Sequence, residues 1–380
     1  MASEDTLGLY VHIPFCEAKC TYCHFAIDPR RPDAERQERY TRALIAEVEA
    51  AEPGPADTLY FGGGTPSLLE ASRIAGVVEL AQRRFGLPAG AEVTVEANPR
   101  DLDAEGYARL AELGATRLSL GVQSFDDAVL VEMGRHHTAA DSRHAVSEAR
   151  RAGFANLSLD LILGWPGETR ERFSRALDEL LSLEPDHVSL YVLEVDGKSV
   201  LSHRKQLGRL SLPEDDLVAE LYDKTVERLA KYGLARYEIS NFARPGFESR
   251  HNGKYWDDAP FLGFGMAAHS YRDGRRFWNH DRFATYCRAV ESGGGAASRA
   301  GERQPSPRER AAEALFTGLR RREGIRLSGF RARYGINPFA EWRAGLASVQ
   351  RAGLVAVSDD RLQLTDRGVL LSSEVFALFV

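Results

Sequence analysis

The most informative segment of this 380-residue chain is Leu9-Tyr-Val-His-Ile-Pro-Phe-Cys16-Glu-Ala-Lys-Cys20-Thr-Tyr-Cys23-His24. It begins with apolar and β-branched residues that indicate a buried strand, and it continues with three thiols within eight residues. Loops at the carboxyl ends of strands carry the active sites of α/β barrels. Three thiolates can hold three irons of a cubane cluster and leave the fourth iron open to a non-protein ligand. The segment therefore predicts a barrel whose first strand leads into a metal-binding loop.

A zinc site is the alternative explanation of the three cysteines. Structural zinc takes four ligands, so Cys287 or His24 would have to be the fourth. The spacing C-x3-C-x2-C is unusual for zinc, and it favours the iron–sulfur cluster. Cys287 itself lies in a run with a helical pattern and is interpreted as a small buried hydrophobic residue.

The composition is that of an ordinary globular protein. Hydrophobic residues make up 43% of the chain, charged residues make up 27%, and the formal net charge is −6. These values exclude a disordered, collagen-like or polyanion-coating chain. No apolar run approaches the roughly 20 residues that span a bilayer, and the acidic start has no signal-peptide pattern. Because four cysteines are too few for a disulfide framework, the chain is expected to be cytoplasmic, without a transmembrane segment.

Short apolar strands alternate with amphipathic helices from Leu7 to Asn241, which is typical of βα units around a parallel sheet. The predicted strands lie at 7–13, 58–62, 92–97, 117–122, 156–162 and 187–193. The predicted helices lie at 33–49, 70–85, 103–113, 139–152, 170–183 and 214–232. Six units predict an α/β fold with a partial (βα)6 barrel, because a closed barrel has eight units and about 250 residues.

The chain is expected to divide into three parts. Residues 1–242 form the partial barrel, and residues 243–298 form a loop-rich, aromatic extension that packs on it. The stretch 292–298, with the polar residues that follow it, has the composition of a flexible linker. Residues 306–380 form a winged-helix-like α+β domain, with predicted helices at 309–322, 328–334 and 338–352, two short strands and a last helix.

Polar residues follow several of the predicted strands. Gly62-Gly-Gly64 comes after the second strand, where it indicates either a tight turn or a close approach of the backbone to a ligand. Glu96, Gln123 and Asp160 lie near the carboxyl ends of the third, fourth and fifth strands. Any one of them alone is more typical of a satisfied core group. Because these strand ends face the same bowl as the cysteine loop, together they predict a cofactor site.

The cysteine spacing, with Tyr22 before the last thiol, resembles the signature of radical S-adenosylmethionine (SAM) proteins. Further motifs resemble the oxygen-independent coproporphyrinogen III oxidase-like family over nearly the whole chain. They are Tyr10-x-His-Ile-Pro-Phe-Cys16, Gly62-Gly-Gly-Thr-Pro-Ser67, Val95-Glu-Ala-Asn-Pro99, Gly121-Val-Gln-Ser-Phe125, Gly134-Arg-x-His137, Leu159-Asp-Leu-Ile162 and Tyr237-Glu-Ile-Ser-Asn-Phe242. A single motif of this kind would be weak, whereas seven in register are specific.

The resemblance implies a [4Fe–4S] cluster on Cys16, Cys20 and Cys23, whose open iron takes the amino and carboxylate groups of SAM. It also implies a SAM pocket lined by Tyr10, Tyr22, Gly63, Gly64, Thr65, Glu96, Gln123, Arg135 and Asp160. The planar guanidinium of Arg135 suits a carboxylate, and a solvated arginine at a helix start is the alternative.

The family that the chain resembles has two branches. The true oxidase has a further cysteine two residues after the third ligand, where this chain has Phe25. The segment His251-Asn-Gly-Lys-Tyr255-Trp256 is instead similar to the H-N-x-x-Y-W motif of the heme chaperone HemW branch. That branch implies heme bound through His251, Tyr255 and Trp256. The alternative is a surface loop whose aromatic residues pack on the barrel while His251 makes a hydrogen bond, and the rival iron ligands are His269 and His280.

Three functions follow from these patterns. The favoured one is a heme chaperone that carries the cluster and exchangeable SAM and passes heme to an acceptor protein of unknown identity. The second is a radical SAM oxidase that decarboxylates the propionates of coproporphyrinogen III, which the missing cysteine disfavours. SAM cleavage and a homodimer are left open.

The third function is a nucleic-acid-binding regulator, suggested by the winged-helix order and the charge of the tail. From residue 306 onward, the chain contains twelve arginines and eight acidic residues. Six of these arginines lie close together in the sequence: Arg320, Arg321, Arg322, Arg326, Arg331 and Arg333. A domain that packs on the barrel mouth is preferred, because proteins that read nucleic acid usually have a stronger basic stripe.

Overall fold

Six parallel strands form the centre of the protein in the computed structural model, which describes residues 6–30, 32–195 and 199–379. They are β1 (Leu7–Ile13), β2 (Ala56–Gly63), β3 (Glu92–Ala97), β4 (Arg117–Gln123), β5 (Asn156–Leu163) and β6 (His187–Val192). Each pairs in parallel with the next along the chain. This order confirms the predicted α/β fold with six barrel units. The acidic start, residues 1–5, lies outside the described residues.

Helices connect the strands and cover the sheet. They are α1 (Ala34–Ala50), α2 (Ala71–Phe85), α3 (Ala104–Glu112), α4 (Asp127–Met133), α5 (Ala139–Arg151), α6 (Arg170–Ser182), α7 (Val200–Gln206) and α8 (Asp215–Lys231). Several begin at side chains that cap free backbone N–H groups, such as Asp33 on α1 and Thr138 on α5. The sequence did not predict α4 and α7, which have seven residues each.

The part after β6 contains more regular structure than expected. It consists of β7 (Ala235–Arg236), β8 (Asn241–Ala243), α9 (Arg250–Trp256), β9 (Phe261–Phe264), β10 (His269–Arg272), β11 (Arg275–Asn279), α10 (Phe283–Gly293) and β12 (Arg299–Arg303). β9 pairs in parallel with β1, and β8 pairs antiparallel with β6. The loop-rich character predicted for residues 243–298 is therefore wrong, because this part contains β9, β10 and β11, which extend the barrel sheet beyond β1. On the other side, β8 and β7 extend it beyond β6, and with β12 the sheet has twelve strands.

The predicted flexible linker is also ordered structure. α10 continues to Gly293, and a short 3-10 helix follows at Gly295–Ser298. A Cβ atom added to Gly295 would overlap the carbonyl oxygen of Ala46 in α1. Gly295 therefore permits close packing against α1 instead of flexibility.

The C-terminal domain follows the predicted order closely. It consists of α11 (Pro307–Gly318), β13 (Ile325–Arg326), α12 (Leu327–Tyr334), α13 (Pro338–Glu341), α14 (Arg343–Arg351), β14 (Val355–Ser358), β15 (Arg361–Leu364), α15 (Asp366–Leu370) and α16 (Ser372–Phe376). The three strands form a separate sheet in the order β13-β15-β14. The single helix predicted at 338–352 is two helices, because the chain leaves helical geometry at the buried Trp342.

Several arginines of this domain contact the rest of the protein. Arg320 lies 3.5 Å from the buried carboxylate of Glu238, and its guanidinium lies over the ring of Trp256 at 4.7 Å. Arg321 pairs with Asp257. These contacts support a domain that packs on the barrel. They lie beside α9, which contacts Gly8 and Thr58 near the amino ends of β1 and β2, so they do not support the predicted position at the barrel mouth. Within the described residues, no helix combines the length and the apolar character that crossing a bilayer requires.

A buried carboxyl group, Glu47 of α1, fixes the turn between β9 and β10. Its oxygens accept hydrogen bonds from the backbone N–H of Gly265 at 2.8 Å, the hydroxyl of Tyr286 at 2.6 Å and the amide of Asn279 at 2.5 Å. Burial raises the pKa of Glu47 to about 7, although these hydrogen bonds oppose the shift. The turn is therefore held by a group whose ionisation is costly.

The pH dependence of stability should reflect this group. A carboxyl whose pKa is raised from 4.5 to about 7 on folding stabilises the protein fully below 4.5, and the contribution is lost as the pH rises through 7. We expect the free energy of unfolding to fall less between pH 4.5 and pH 8 in Glu47→Gln than in the wild type, by roughly 3 kcal/mol at most. Urea unfolding at both pH values measures the difference. Equal pH dependence in the two proteins would contradict the assignment.

Candidate functional site

The cysteine loop leaves the carboxyl end of β1 and is anchored at both ends. Backbone hydrogen bonds join Asp28 N to Pro14 O at 2.8 Å and Cys16 N to Asp28 O at 3.3 Å. In the middle, Thr21 N donates to Met133 O at 2.9 Å, which ties the loop to the end of α4. The loop is therefore held in shape by the surrounding protein, with its three thiols half-buried.

The surroundings of the thiols suit an iron–sulfur cluster. The Sγ of Cys16 lies 3.5 Å from the Thr65 hydroxyl, and Arg135 Nη1 lies 3.7 Å from the Sγ of Cys20. Burial, with a smaller contribution from the other two thiols, raises the pKa of Cys16 to about 11, so that binding to a metal centre is what would hold this thiol as a thiolate. Among the residues that the structure describes, the buried Nε of Arg135 has no hydrogen-bond partner. Three soft ligands beside one cation therefore fit an anionic cluster.

Cys287, the proposed fourth zinc ligand, lies elsewhere. It is fully buried in α10, where Arg39 and Glu291 are among its charged neighbours. This agrees with its interpretation as a small buried hydrophobic residue. His24, the other proposed fourth ligand, is exposed beside Phe25, and their rings lie 5.2 Å apart.

The glycine turn after β2 packs directly against the cysteine loop. Gly64 N donates to Ile13 O at 2.8 Å, and Thr65 N donates to Phe15 O at 2.7 Å. A Cβ on Gly64 would lie 2.7 Å from Phe15 O and 2.8 Å from Ile13 O, while Gly63 has φ of +108°. The tight-turn interpretation therefore applies to Gly63, whose φ is left-handed, while Gly64 lets two protein segments pack closely. Close approach of this backbone to a ligand stays a prediction.

Two carboxyl groups face the interior of the barrel. The Tyr60 hydroxyl donates to Glu96 at 2.7 Å, and Gly63 N donates to the other oxygen at 3.3 Å. The Ser119 hydroxyl donates to Asp160 at 3.3 Å. Burial raises the pKa of Glu96 to about 7 and that of Asp160 to about 6. The structure thus brings together the two acidic residues that the sequence placed at separate strand ends.

Arg135 is half-buried in the site, with its guanidinium held by protein groups, instead of being solvated at a helix start. Its Nη2 donates to Gly121 O at 2.7 Å and also to the Oδ1 of Asn98. Gln123 ends β4 at a bulge, with φ of +64°, and borders a separate cavity of about 230 Å³ that Trp165 also lines. Tyr22 packs edge-on against Trp165, with the ring centroids 6.2 Å apart.

Sequence reasoning missed three polar residues of the site. Asn98 links Thr65 with Arg135. Its side-chain amide donates to the Thr65 hydroxyl at 3.3 Å, and its Oδ1 accepts a hydrogen bond from Arg135. His12 accepts from the Tyr10 hydroxyl at 3.1 Å and donates to Ala26 O at 2.8 Å, which fixes the end of the cysteine loop. His12 belongs to the family motif that begins at Tyr10, and Asn98 belongs to the family motif that begins at Val95. Membership of these motifs was the sequence signal by which both could have been predicted. Arg117 is 2% exposed in β4, and its inward direction had no sequence signal.

A cavity of about 410 Å³ opens between the barrel and the extension. The barrel contributes four residues of its lining, and the others come from the cysteine loop and the extension. The lining residues are Tyr10, His12, Gly63, Glu96, Phe25, Ala26, Tyr255, Phe261, Ala267, Ala268 and His269. The cavity therefore joins three members of the predicted SAM pocket to one member of the predicted heme motif.

The H-N-x-x-Y-W segment forms helix α9 and not a surface loop. His251 is 1% exposed, and its ring nitrogens are hydrogen-bonded to the Thr58 hydroxyl at 3.0 Å and to the Tyr255 hydroxyl at 2.9 Å. Burial lowers the pKa of His251 to about 3. Neither nitrogen is available to iron in this arrangement, so His251 as an iron ligand stays a prediction that requires one of these two hydrogen bonds to break. Trp256 lies away from the cavity lining, under Arg320.

Comparison with protein families matches two parts of the chain. The Radical SAM superfamily model matches residues 10–180, and the HemN C-terminal domain model matches residues 306–371. Among solved structures, coproporphyrinogen III oxidase HemN from Escherichia coli aligns with 99% of this chain and 90% of its own, with a TM-score of 0.84. At 24% identity, this similarity establishes the fold alone.

Closer similarity is found among other proteins of known name. The heme chaperone HemW of Bacillus subtilis (strain 168) is 36% identical over 376 residues, which are 98% of each chain. The heme chaperone HemW of Mycobacterium tuberculosis (strain H37Rv) is 37% identical over 97% of this chain and 93% of its own. The mitochondrial radical S-adenosyl methionine domain-containing protein 1 of Bos taurus is 39% identical over 69% of this chain and 60% of its own.

Proposed function

This chain belongs to the radical SAM superfamily and, within it, to the family of the heme chaperone HemW, and we propose on that basis that it binds heme and passes it to an acceptor protein. Membership of the superfamily implies a [4Fe–4S] cluster and SAM. The observation that carries the heme proposal is the cavity of about 410 Å³, because a single space is lined by residues of the cysteine loop, the predicted SAM pocket and the H-N-x-x-Y-W helix.

The residues present fit the implied cofactors. Cys16, Cys20 and Cys23 would hold the cluster, which when bound supplies an electron and an open iron for SAM. The cation of Arg135, fixed by Asn98, balances negative charge beside Cys20.

The predicted SAM-pocket residues offer complementary polar groups. Glu96 keeps its carboxylate oxygens oriented through Tyr60 and the Gly63 amide, so that it can accept a hydrogen bond from an amino or hydroxyl group. Tyr10, Tyr22, Gly64, Thr65, Gln123 and Asp160 stay proposed members of the SAM pocket.

The cavity suits a flat apolar macrocycle. Phe25, Tyr255 and Phe261 supply aromatic surface, while Ala267 and Ala268 leave space for a ring system. Its volume falls in the usual range of cofactor sites, about 300–1,000 Å³. Phe25 is 60% exposed at the rim, where an acceptor protein could reach bound heme. The substitution of phenylalanine for the oxidase's further cysteine thus replaces a reactive group by binding surface.

The H-N-x-x-Y-W residues would act together in this site. Tyr255 lines the cavity, and its hydroxyl is held by the buried ring of His251. Trp256 supports the same helix from the side of the C-terminal domain, through Arg320. We therefore assign contact with heme to Tyr255 and positioning of that contact to His251 and Trp256.

We also place the protein in the cytosol. The four cysteines are free thiols, and the three in the loop must stay reduced to bind iron. A reducing compartment is the environment in which such thiols persist. Cell fractionation with an antibody against the chain tests this placement, and recovery outside the cytosolic fraction would contradict it.

Heme titration tests the proposed function. Anaerobically reconstituted protein should give a saturable Soret-band shift with about one equivalent of heme. Tyr255→Leu should weaken heme binding about fivefold, because the aromatic contact contributes roughly 1 kcal/mol beyond its area. Tyr232→Leu is the matched control, since Tyr232 is 54% exposed at the end of α8 and should leave binding unchanged. Absence of any Soret change in the wild type would refute heme binding.

The same preparation distinguishes the oxidase alternative. Incubation with coproporphyrinogen III, SAM and a low-potential reductant under anaerobic conditions should give no decarboxylated product. Product formation beside an active oxidase control would instead assign the oxidase activity to this chain.

A further inference from the structure

His269, the first residue of β10, is placed differently from the other histidines of the region. It lines the cavity of about 410 Å³ and is exposed at its rim. Its ring stacks on Trp278, with the centroids 6.2 Å apart and an interplanar angle of 27°. Within the described part of the chain, neither ring nitrogen of His269 has a hydrogen-bond partner. The imidazole is therefore oriented by stacking but has both nitrogens available.

The neighbouring histidines lack this combination. Both nitrogens of His251 and both nitrogens of His12 are occupied by hydrogen bonds inside the protein. His280 is not part of the cavity lining, and it contributes its backbone carbonyl to the amide of Ala267 at 2.9 Å. Among the described residues, His269 is thus the histidine of the cavity that can bind iron without first losing a protein contact.

The backbone before His269 is held rigidly. Met266 N donates to the Tyr40 hydroxyl at 3.1 Å, and Asn279 donates to Gly265 O at 2.8 Å. Together with the bond from Gly265 to Glu47, these contacts fix the turn between β9 and β10 from α1 and β11. Ala267 has φ of +57°, an unusual conformation for a residue with a side chain. Such support is what a fixed metal ligand requires.

We propose that His269 is an axial ligand of the heme iron in this cavity. The inference rests on the proposed function, since it names the residue through which heme would be held. The small side chains of Ala267 and Ala268 leave room for the macrocycle beside the imidazole, and Phe25 and Phe261 supply apolar contact. A histidine on the rim would also let an acceptor protein approach the iron from solvent.

Variants of three histidines test the proposal by heme titration and by EPR of the ferric complex. His269→Ala should bind heme at least tenfold more weakly and lose the spectral signature of histidine ligation, and added imidazole should restore that signature. His280→Ala is the matched control and should behave as the wild type. Because His269 is exposed, its replacement should leave the melting temperature nearly unchanged.

The outcomes separate this inference from the proposed function. If the wild type binds heme and His269→Ala keeps the same affinity and spectrum, the ligand assignment is wrong while the chaperone function stands. Loss of the histidine signature in His251→Ala but not in His269→Ala would identify His251 as the iron ligand. If the wild type binds no heme, the proposed function fails and this inference fails with it.

Discussion

Replacement of Cys16, Cys20 or Cys23 by serine should abolish the iron–sulfur cluster. Each thiol belongs to one loop that is fixed at the end of β1 and, through its middle, at the end of α4, so that no other thiol can take the vacant position. Iron and acid-labile sulfide should fall from about four atoms each per chain to near zero after reconstitution, and the broad cluster absorption should disappear.

Cys287→Ser is the matched control for these variants. Cys287 is fully buried in α10, so its replacement should lower the melting temperature slightly but leave iron and sulfide at wild-type values. Loss of metal in Cys287→Ser would show that the fourth cysteine takes part in binding, as the zinc alternative with Cys287 as the fourth ligand requires. Circular dichroism of each variant distinguishes loss of metal from loss of fold.

Gly64→Ala should destabilise the protein and weaken cluster retention together. The new methyl carbon would lie 2.7 Å from Phe15 O and 2.8 Å from Ile13 O, and these obstacles are backbone atoms of the segment that leads to the cysteine loop. Overpacking of this kind costs about 1–3 kcal/mol, and moving the loop also disturbs the positions of the thiols. Urea unfolding and iron content after gel filtration measure the two effects.

Gly76→Ala provides the comparison for Gly64→Ala. Gly76 lies inside α2, and a Cβ atom there would meet no other atom within 4 Å. Alanine should stabilise this helix by about 0.5–1 kcal/mol and leave the cluster intact. Equal effects of the two substitutions would contradict the role assigned to close packing at Gly64.

The barrel was predictable because its strands carry a strong local signal. Parallel strands covered on both faces appear as nearly continuous apolar runs, and β1 and β3 were predicted with the bounds that the structure has. The strands of the extension carry no such signal. β9 has only four residues, and its partner β1 lies about 250 positions earlier in the chain, so that local periodicity cannot reveal the pairing.

In the candidate site too, local motifs predict some residues, while other features depend on contacts between distant parts of the chain. Motifs placed the thiols, Glu96 and Asp160 at strand ends that the topology then brings together. The surroundings of His251 depend on Thr58 of β2, which lies far away in the sequence, and nothing in the H-N-x-x-Y-W motif predicts that contact. The accessible position of His269 likewise results from the turn held by Glu47, a residue of α1.

The twelve-stranded sheet is open, with β12 at one end and β7 at the other, and this affects how two copies of the chain could associate. A sheet that does not close exposes backbone groups at its two edges, which here are β12 and β7. The sequence of β12 is Arg-Ala-Gly-Glu-Arg, in which Arg299, Glu302 and Arg303 are exposed. At the other edge, β7 has only two residues. Charge at one edge and shortness at the other disfavour the addition of a strand from another molecule. Two copies of this chain would therefore have to meet through side-chain surfaces, which leaves the barrel sheet of each copy intact.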